Sequence, residues 1–302
     1  MSKLILVLSI IFFFQGSPLH AMGVHCLKSI DLGSAKSIRI RKIERREEIA
    51  HQAITTDLYH GEVISWKSFS ENNNKNSMFE LQIYNSRTNR VRTVLFKPRF
   101  RGDGHGWNRV PMEYVAYRLG RFLNTDLIPP VAYRRDITLG HHHFYEGAFL
   151  FKVPDTHPLG RVNHRIWDLE FNYQKLDKDL FLSDARVIDV LLQNPDRHIN
   201  NFMRGRHWVD GVYRPFLIDH AASLKKGFNI TLEQNDAFKN GEILVFRRST
   251  YEGLKGLNRT KLRRLGEFLS EAEIQKINQR KEEILQYINN LIAQKGESLI
   301  LF

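Results

Sequence analysis

Residues 183–219 carry the pattern that most limits the fold. Val187, Val190 and Leu191 recur at helical spacing within residues 183–193, with Ser183 placed to cap the helix. Asn194-Pro195 stops it, because proline disfavours helical backbone in the residue before it. A polar run follows, Asp-Arg-His-Ile-Asn-Asn from Asp196 to Asn201. Two strand-like stretches come next, residues 201–209 and 212–219, on either side of Asp210-Gly211, a strong two-residue turn signal. With that dipeptide central, paired residue numbers sum to 421, so Asn201 faces His220 and Phe202 faces Asp219. Pro215 inside the second strand fits an edge position. A buried helix thus delivers a loop, and a hairpin returns the chain to it.

Three polar groups converge there. A carboxylate on a rigidly held loop, Asp196, is what general-base chemistry needs. An amide oxygen and a carboxylate on neighbouring rungs, Asn201 and Asp219, form a hard-oxygen pair suited to Mg²⁺, which takes a few protein oxygens plus phosphate and water. The plainer alternative is that Asp196 ties a turn.

The rest of the chain divides by periodicity. Residues 37–53 read as a helix, and residues 62–69, 78–84 and 90–97 as strands, the last two joined across Ser-Arg-Thr-Asn. Residues 72–76 form a polar insertion, and residues 98–111 a Gly-rich loop able to bring backbone N–H groups to a phosphate. Residues 111–124 make an amphipathic helix opening on Pro111. Strands are expected after Pro129-Pro130 and over residues 148–153, with His141, His142 and His143 as loop residues before the second. Beyond the hairpin, residues 262–269 and 271–293 carry helical periodicity. The expectation is an α+β fold with a strand-rich N-terminal lobe over residues 59–154 and a mostly helical C-terminal lobe over 155–302, preceded by a helical segment over 22–58.

The first 21 residues have the features of a secretory signal peptide: Lys3, an apolar run of 11 residues from Leu4 to Phe14, and a polar exit to Ala21. A secreted, periplasmic or otherwise exported destination is therefore expected. Cys26 is the only cysteine, so no intramolecular disulfide forms and stability rests on the core. The net charge of +12 favours acidic or phosphate-bearing partners. Its sharpest cluster, RIRKIERR at residues 39–46, reads as the solvated face of a helix, with phosphoinositide or acidic-surface contact as the alternative. No zinc-finger spacing or RNA-binding aromatic signature accompanies it, so no nucleic-acid partner is expected.

The segments PDRHINNFM and FLIDHAASL resemble the catalytic and metal-binding segments of the phosphatidylinositol 3- and 4-kinases and of the atypical kinases of the HipA and secreted Golgi casein kinase types. The Asp-to-Asn spacing also matches ordinary protein kinases. VLFKPR is similar to the strand that carries the nucleotide-phosphate lysine, and PMEYVAYRLGRFLNTDLIPPV to the glutamate helix and Pro-rich exit of the HipA and Golgi types. The resemblance implies a protein-kinase-like fold that binds ATP with Mg²⁺ or Mn²⁺. It implies Lys97 on the α/β-phosphates and Glu113 paired with Lys97 or reaching toward a metal. Asp196 would take the acceptor's proton, and Asn201 and Asp219 would hold the metal. Arg197 and His198 would brace the loop, or His198 would contact a phosphate. Two features depart from the pattern: His220-Ala221 stands where Phe-Gly is usual, and no standard Gly-rich loop precedes Lys97. The implied acceptor is a protein Ser/Thr hydroxyl. Lipid or sugar acceptors, nucleotidyl transfer, a nucleotide-binding pseudokinase scaffold and a basic surface-binding module are the alternatives.

Overall fold

The computed structural model describes residues 32–69, 78–99, 108–159, 175–228 and 236–302. The signal-peptide segment, Cys26, the 72–76 insertion and most of the Gly-rich stretch lie outside them. The chain divides into two compact units, residues 1–49 and 50–302. In the first, the described residues belong to helix α1 (Leu32–His60), which is longer at both ends than the 37–53 expected from its isoleucines. Among the described residues no helix is long and apolar enough to cross a membrane.

The second unit is mixed α/β, with a sheet-rich region followed by a mostly helical one. The sheet-rich region contains β1 (Glu62–Ser68), β2 (Phe79–Asn85), β3 (Arg90–Pro98), β4 (Val131–Leu139) and β5 (His142–Phe151). They pair antiparallel in the order β1-β2-β3-β5-β4. Ser-Arg-Thr-Asn closes the β2–β3 hairpin as expected, with Asn85 opposite Arg90. Strand β5 starts well before Ala148 and takes in His142 and His143. Helix α2 (Pro111–Phe122) lies between β3 and β4 in sequence and buries Met112, Val115, Ala116 and Leu119. Its period-3.6 apolar face makes that packing possible.

Helix α3 (Lys175–Leu192) begins before Ser183, which therefore does not cap it. Leu180 and Phe181 extend the apolar face toward the N-terminus, and the fully buried Ser183 hydroxyl donates to the Leu180 carbonyl within the helix. The C-terminus matches expectation. Gln193 adopts a left-handed conformation (φ 47°), its N–H bonds Val190 O at 3.2 Å, and Asn194 N–H bonds Asp189 O at 2.9 Å. This pair of bonds is a Schellman cap, and Pro195 bars continuation.

A small second sheet follows, β6 (His157–Pro158), β7 (Phe202–Arg206) and β8 (Tyr213–Leu217), in the order β6-β7-β8. Pro215 sits on the edge strand β8. The hairpin register differs from the expected one: Phe202 pairs with Leu217 rather than Asp219, and Asn201 does not face His220. The turn is not the bare Asp210-Gly211 dipeptide. His207 N–H bonds Val212 O at 2.8 Å, so Trp208 to Gly211 form a four-residue loop. Trp208 is buried in the sheet-side core and draws the loop inward. The shift is by two residues, so every side chain keeps its face.

The helical part continues through α4 (Asp236–Lys239), α5 (Arg248–Gly256), α6 (Arg259–Arg263) and α7 (Glu271–Lys295). The helix expected over 262–269 is confined to α6, since turns occupy the residues after it. Ser270 and Glu273 form a capping box at the start of α7. Two apolar clusters result. One joins α2, α3 and α7, and the other joins β2, β3 and β5 to Ile54 and Leu58 of α1.

Candidate active site

Lys97 lies one residue before the end of β3, opposite Ala148 of β5. Its Nζ donates to Glu113 Oε1 at 3.0 Å and to Asp219 Oδ1 at 2.9 Å. Glu113 stands in the first turn of α2, where a carboxylate is favoured by the helix dipole. Its second oxygen, Oε2, accepts the His220 backbone N–H at 3.1 Å. One buried lysine thus joins β3, α2 and the segment leaving β8.

The electrostatics are those of a closed ionic cluster. Burial opposes the charge on Lys97, but Glu113 and Asp219 outweigh it and hold the ammonium above its ordinary pKa. Burial likewise opposes ionisation of Glu113, and the Lys97 charge and the His220 hydrogen bond outweigh it, leaving Glu113 well below the usual carboxylate range. Lysine has three N–H donors, so two carboxylates leave one for a phosphate oxygen.

The Schellman cap of α3 feeds the loop that carries Asp196. Asn194 Oδ1 accepts the Asp196 N–H at 3.1 Å, an Asx turn. His198 N–H bonds Asp196 O at 2.8 Å, and Asn201 Nδ2 donates to the same carbonyl at 2.7 Å. Residues Ile199–Asn201 form a single 3-10 turn. The Asp196 backbone is therefore fixed from both sides, while no described residue donates a hydrogen bond to its partly exposed carboxylate.

Asn201 is buried and its Nδ2 is committed, so its Oδ1 is the side-chain acceptor that remains. Asp219 is held in a left-handed conformation (φ 57°) that Asp tolerates better than most residues. Its side chain is 43% exposed, unlike its two buried partners. Ile218 N–H bonds Asn201 O at 3.1 Å, which ties the segment before Asp219 to the 3-10 turn. The two-residue register shift therefore leaves Asn201 and Asp219 at the same end of the hairpin.

Among the described residues no group of three or more His, Cys, Asp and Glu is placed to hold a metal ion, and that covers His141, His142 and His143. The Asn201 amide oxygen and the Asp219 carboxylate are nevertheless the donors Mg²⁺ or Mn²⁺ takes when phosphate oxygens and water complete its shell, so these residues fit such an ion.

Arg197, expected to brace the loop, does so through partners that the sequence did not name. The Arg197 side chain is buried, and its Nε donates to both carboxylate oxygens of Asp189 at 3.1 Å. Its Nη1 donates to Asn201 O at 3.2 Å and Ile218 O at 2.7 Å. Asp189 itself gave a signal: an acid among Ile188, Val190 and Leu191 of an apolar face demands a partner. His220 is fully buried, and burial together with the Arg197 charge pushes its imidazole pKa down.

No family model matches the chain, and no curated protein matches it. Solved structures do. The Helicobacter pylori proinflammatory kinase CtkA is 14% identical with a TM-score of 0.43, over 80% of this chain and 99% of that one. A chain from the Shewanella oneidensis MR-1 toxin–antitoxin complex of HipA, HipB and operator DNA is 11% identical with a TM-score of 0.36, over 78% of this chain and 68% of that one.

Proposed function

We propose that this chain is an ATP-dependent phosphotransferase that moves the γ-phosphoryl group to a hydroxyl. The observation that carries the reading is Lys97 Nζ bonded at once to Glu113 and Asp219, with Asp196 and Asn201 on the adjoining loop. Lys97 binds the α/β-phosphates, and Glu113 fixes its ammonium. Asn201 Oδ1 and Asp219 hold Mg²⁺ or Mn²⁺, which when bound neutralises phosphate charge. Asp196 orients the acceptor hydroxyl and takes its proton on a carboxylate oxygen as the bond from that hydroxyl oxygen to the γ-phosphorus forms and the bond from the γ-phosphorus to the β–γ bridging oxygen breaks, releasing ADP. Positioning and charge neutralisation supply most of the catalysis in such a transfer.

We infer that the acceptor is a Ser/Thr hydroxyl of a protein. Asp196 stands on a loop whose next exposed residues are His198, Ile199 and Asn200, a face open to a chain. The reading divides the protein into a sheet-rich lobe over 59–154 and a helical lobe over 155–302, and the Leu4 to Phe14 run supports export.

The test is transfer from labelled ATP by the purified chain with Mg²⁺ or Mn²⁺ and a panel of protein, lipid and sugar acceptors. Asp196→Ala should lower transfer by at least about a hundredfold, the scale of general-base catalysis, with nucleotide affinity and melting temperature kept. Absence of both transfer and nucleotide binding in the parent chain refutes the reading. Transfer that survives Asp196→Ala removes that residue from the mechanism, and a lipid or sugar product replaces the protein acceptor.

A further inference from the structure

Arg197 and Asp189 make a connection that the phosphotransfer chemistry above does not use. The Arg197 guanidinium bonds two backbone carbonyls, those of Asn201 and Ile218. Asn201 is one proposed metal ligand, and Ile218 is the residue before the other, Asp219. The two carbonyls come from separate strands of chain, the 3-10 turn before β7 and the exit of β8. One Nη1 therefore spans the gap across which a metal would be shared.

The guanidinium is not free to drift. Asp189 grips its Nε with both oxygens from the last turns of α3, and both side chains are almost fully buried. Asn194 Nδ2 reaches Asp189 Oδ1 at 3.5 Å, so the residue that shapes the Asx turn before Asp196 touches the same carboxylate. The Arg197 side chain also lies over the Phe202 ring, with its Cζ 5.7 Å from the centroid. Planar, charged and multiply bonded, Arg197 fixes a distance and an angle where lysine would supply only a charge.

We propose that Asp189 and Arg197 are positioning residues that set the relative placement of Asn201 and Asp219, and so the affinity of the site for its divalent cation, independently of nucleotide binding through Lys97. The inference rests on the nucleotide-and-metal reading above. Residues that support metal ligands from behind govern metal affinity by about 10- to 100-fold.

The full chain is titrated with Mn²⁺ in the presence of saturating ADP, and separately with ADP in chelator, by calorimetry. Arg197→Lys keeps the charge facing Asp189 but loses the planar reach. The double variant Asp189→Leu with Arg197→Met removes both buried charges together, so that neither is left unpaired. In both, Mn²⁺ affinity should fall at least about tenfold, while ADP affinity in chelator stays within twofold of the parent. Unchanged Mn²⁺ affinity in either folded variant overturns the inference, as does an equal loss of Mn²⁺ and chelator-ADP affinity. A parent chain that binds no ADP under either condition refutes the nucleotide reading itself and takes this inference with it. Failure of the double variant to fold leaves the decision to Arg197→Lys.

Discussion

A buried carboxylate is informative when its partners are counted, and two acids here have opposite fates. Glu113 faces a buried cation and is held ionised. Asp184, in the middle of α3, is also fully buried, but its cation Arg247 is 42% exposed and screened by water. Burial therefore dominates, against Arg247 and the Thr250 hydroxyl, and Asp184 is pushed from 3.8 to about 6. A raised pKa means the folded state holds the proton more tightly than the unfolded one. The stabilisation is full below about 3.8 and is lost as pH rises through about 6. Asp184→Asn keeps an oxygen for Thr250 Oγ1, now 2.7 Å away, and does not titrate. Urea unfolding between pH 4 and 7 should show parent stability falling relative to the variant by up to roughly 3 kcal/mol across that window. Parallel pH profiles would disprove it. Asp196, Asn201 and Asp219 are legible from a stopped helix and the hairpin after it, whereas Lys97 and Glu113 join them only through the resemblance of VLFKPR and PMEYVAYRLGRFLNTDLIPPV to kinase segments. Arg197 is implied only as a brace for the loop, and what it braces is not legible, because it bonds the backbone carbonyls of Asn201 and Ile218, which carry no residue signature.

Elements follow the same logic. The amphipathic helix expected over 111–124 is where the sequence puts it and ends two residues early as α2, whereas the segment over 262–269 is helical only as far as Arg263. Boundaries failed where a tertiary contact outweighed a local signal. Asp210-Gly211 is a good turn pair, but a two-residue turn would place Trp208 in a strand rung, and burial of its indole against Phe216 and His51 favours the wider loop. Close packing of α5 on the end of α2 gives a test at this scale. Gly253 is buried, and a Cβ there would meet the Leu123 backbone at 2.6 Å. Backbone cannot yield as a side-chain tip can, so helix propensity, which favours alanine by about 1 kcal/mol, loses to the collision. Gly253→Ala should destabilise by about 1–3 kcal/mol, read as a lower urea midpoint with unchanged slope. A stabilised variant would show that α5 can move away from α2.

At the scale of the second unit, the site depends on parts distant in sequence staying together. Arg109, just ahead of α2, bonds Ala221 O through its backbone at 2.7 Å and bonds Glu273 and the Phe268 carbonyl through its side chain. The entry to the Glu113 helix is thereby tied both to the segment after Asp219 and to the start of α7. On the sheet side, the end of α1 is tied by Asp57, which is fully buried. Its Oδ1 accepts from Asn85 at 2.9 Å and Thr88 at 2.6 Å, and its Oδ2 from Arg92 at 2.9 Å. Those three residues belong to the β2–β3 hairpin, and β3 is the strand that carries Lys97 one residue before its end. Asp57→Ala leaves a buried amide and a mostly buried guanidinium without their acceptor. Removing one partner of such a pair costs about 3–5 kcal/mol, far more than an exposed ion pair contributes. The damage should be local to its origin, because Lys97 is held at the other end of β3 by Glu113 and Asp219. Hydrogen exchange should quicken most over residues 50–60 and 85–92, while protection near Lys97 and the nucleotide affinity of the folded fraction change little. Equal loss of protection throughout the sheet would instead mean that α1 and the hairpin open only with the whole unit, making Asp57 a determinant of global stability rather than of one attachment.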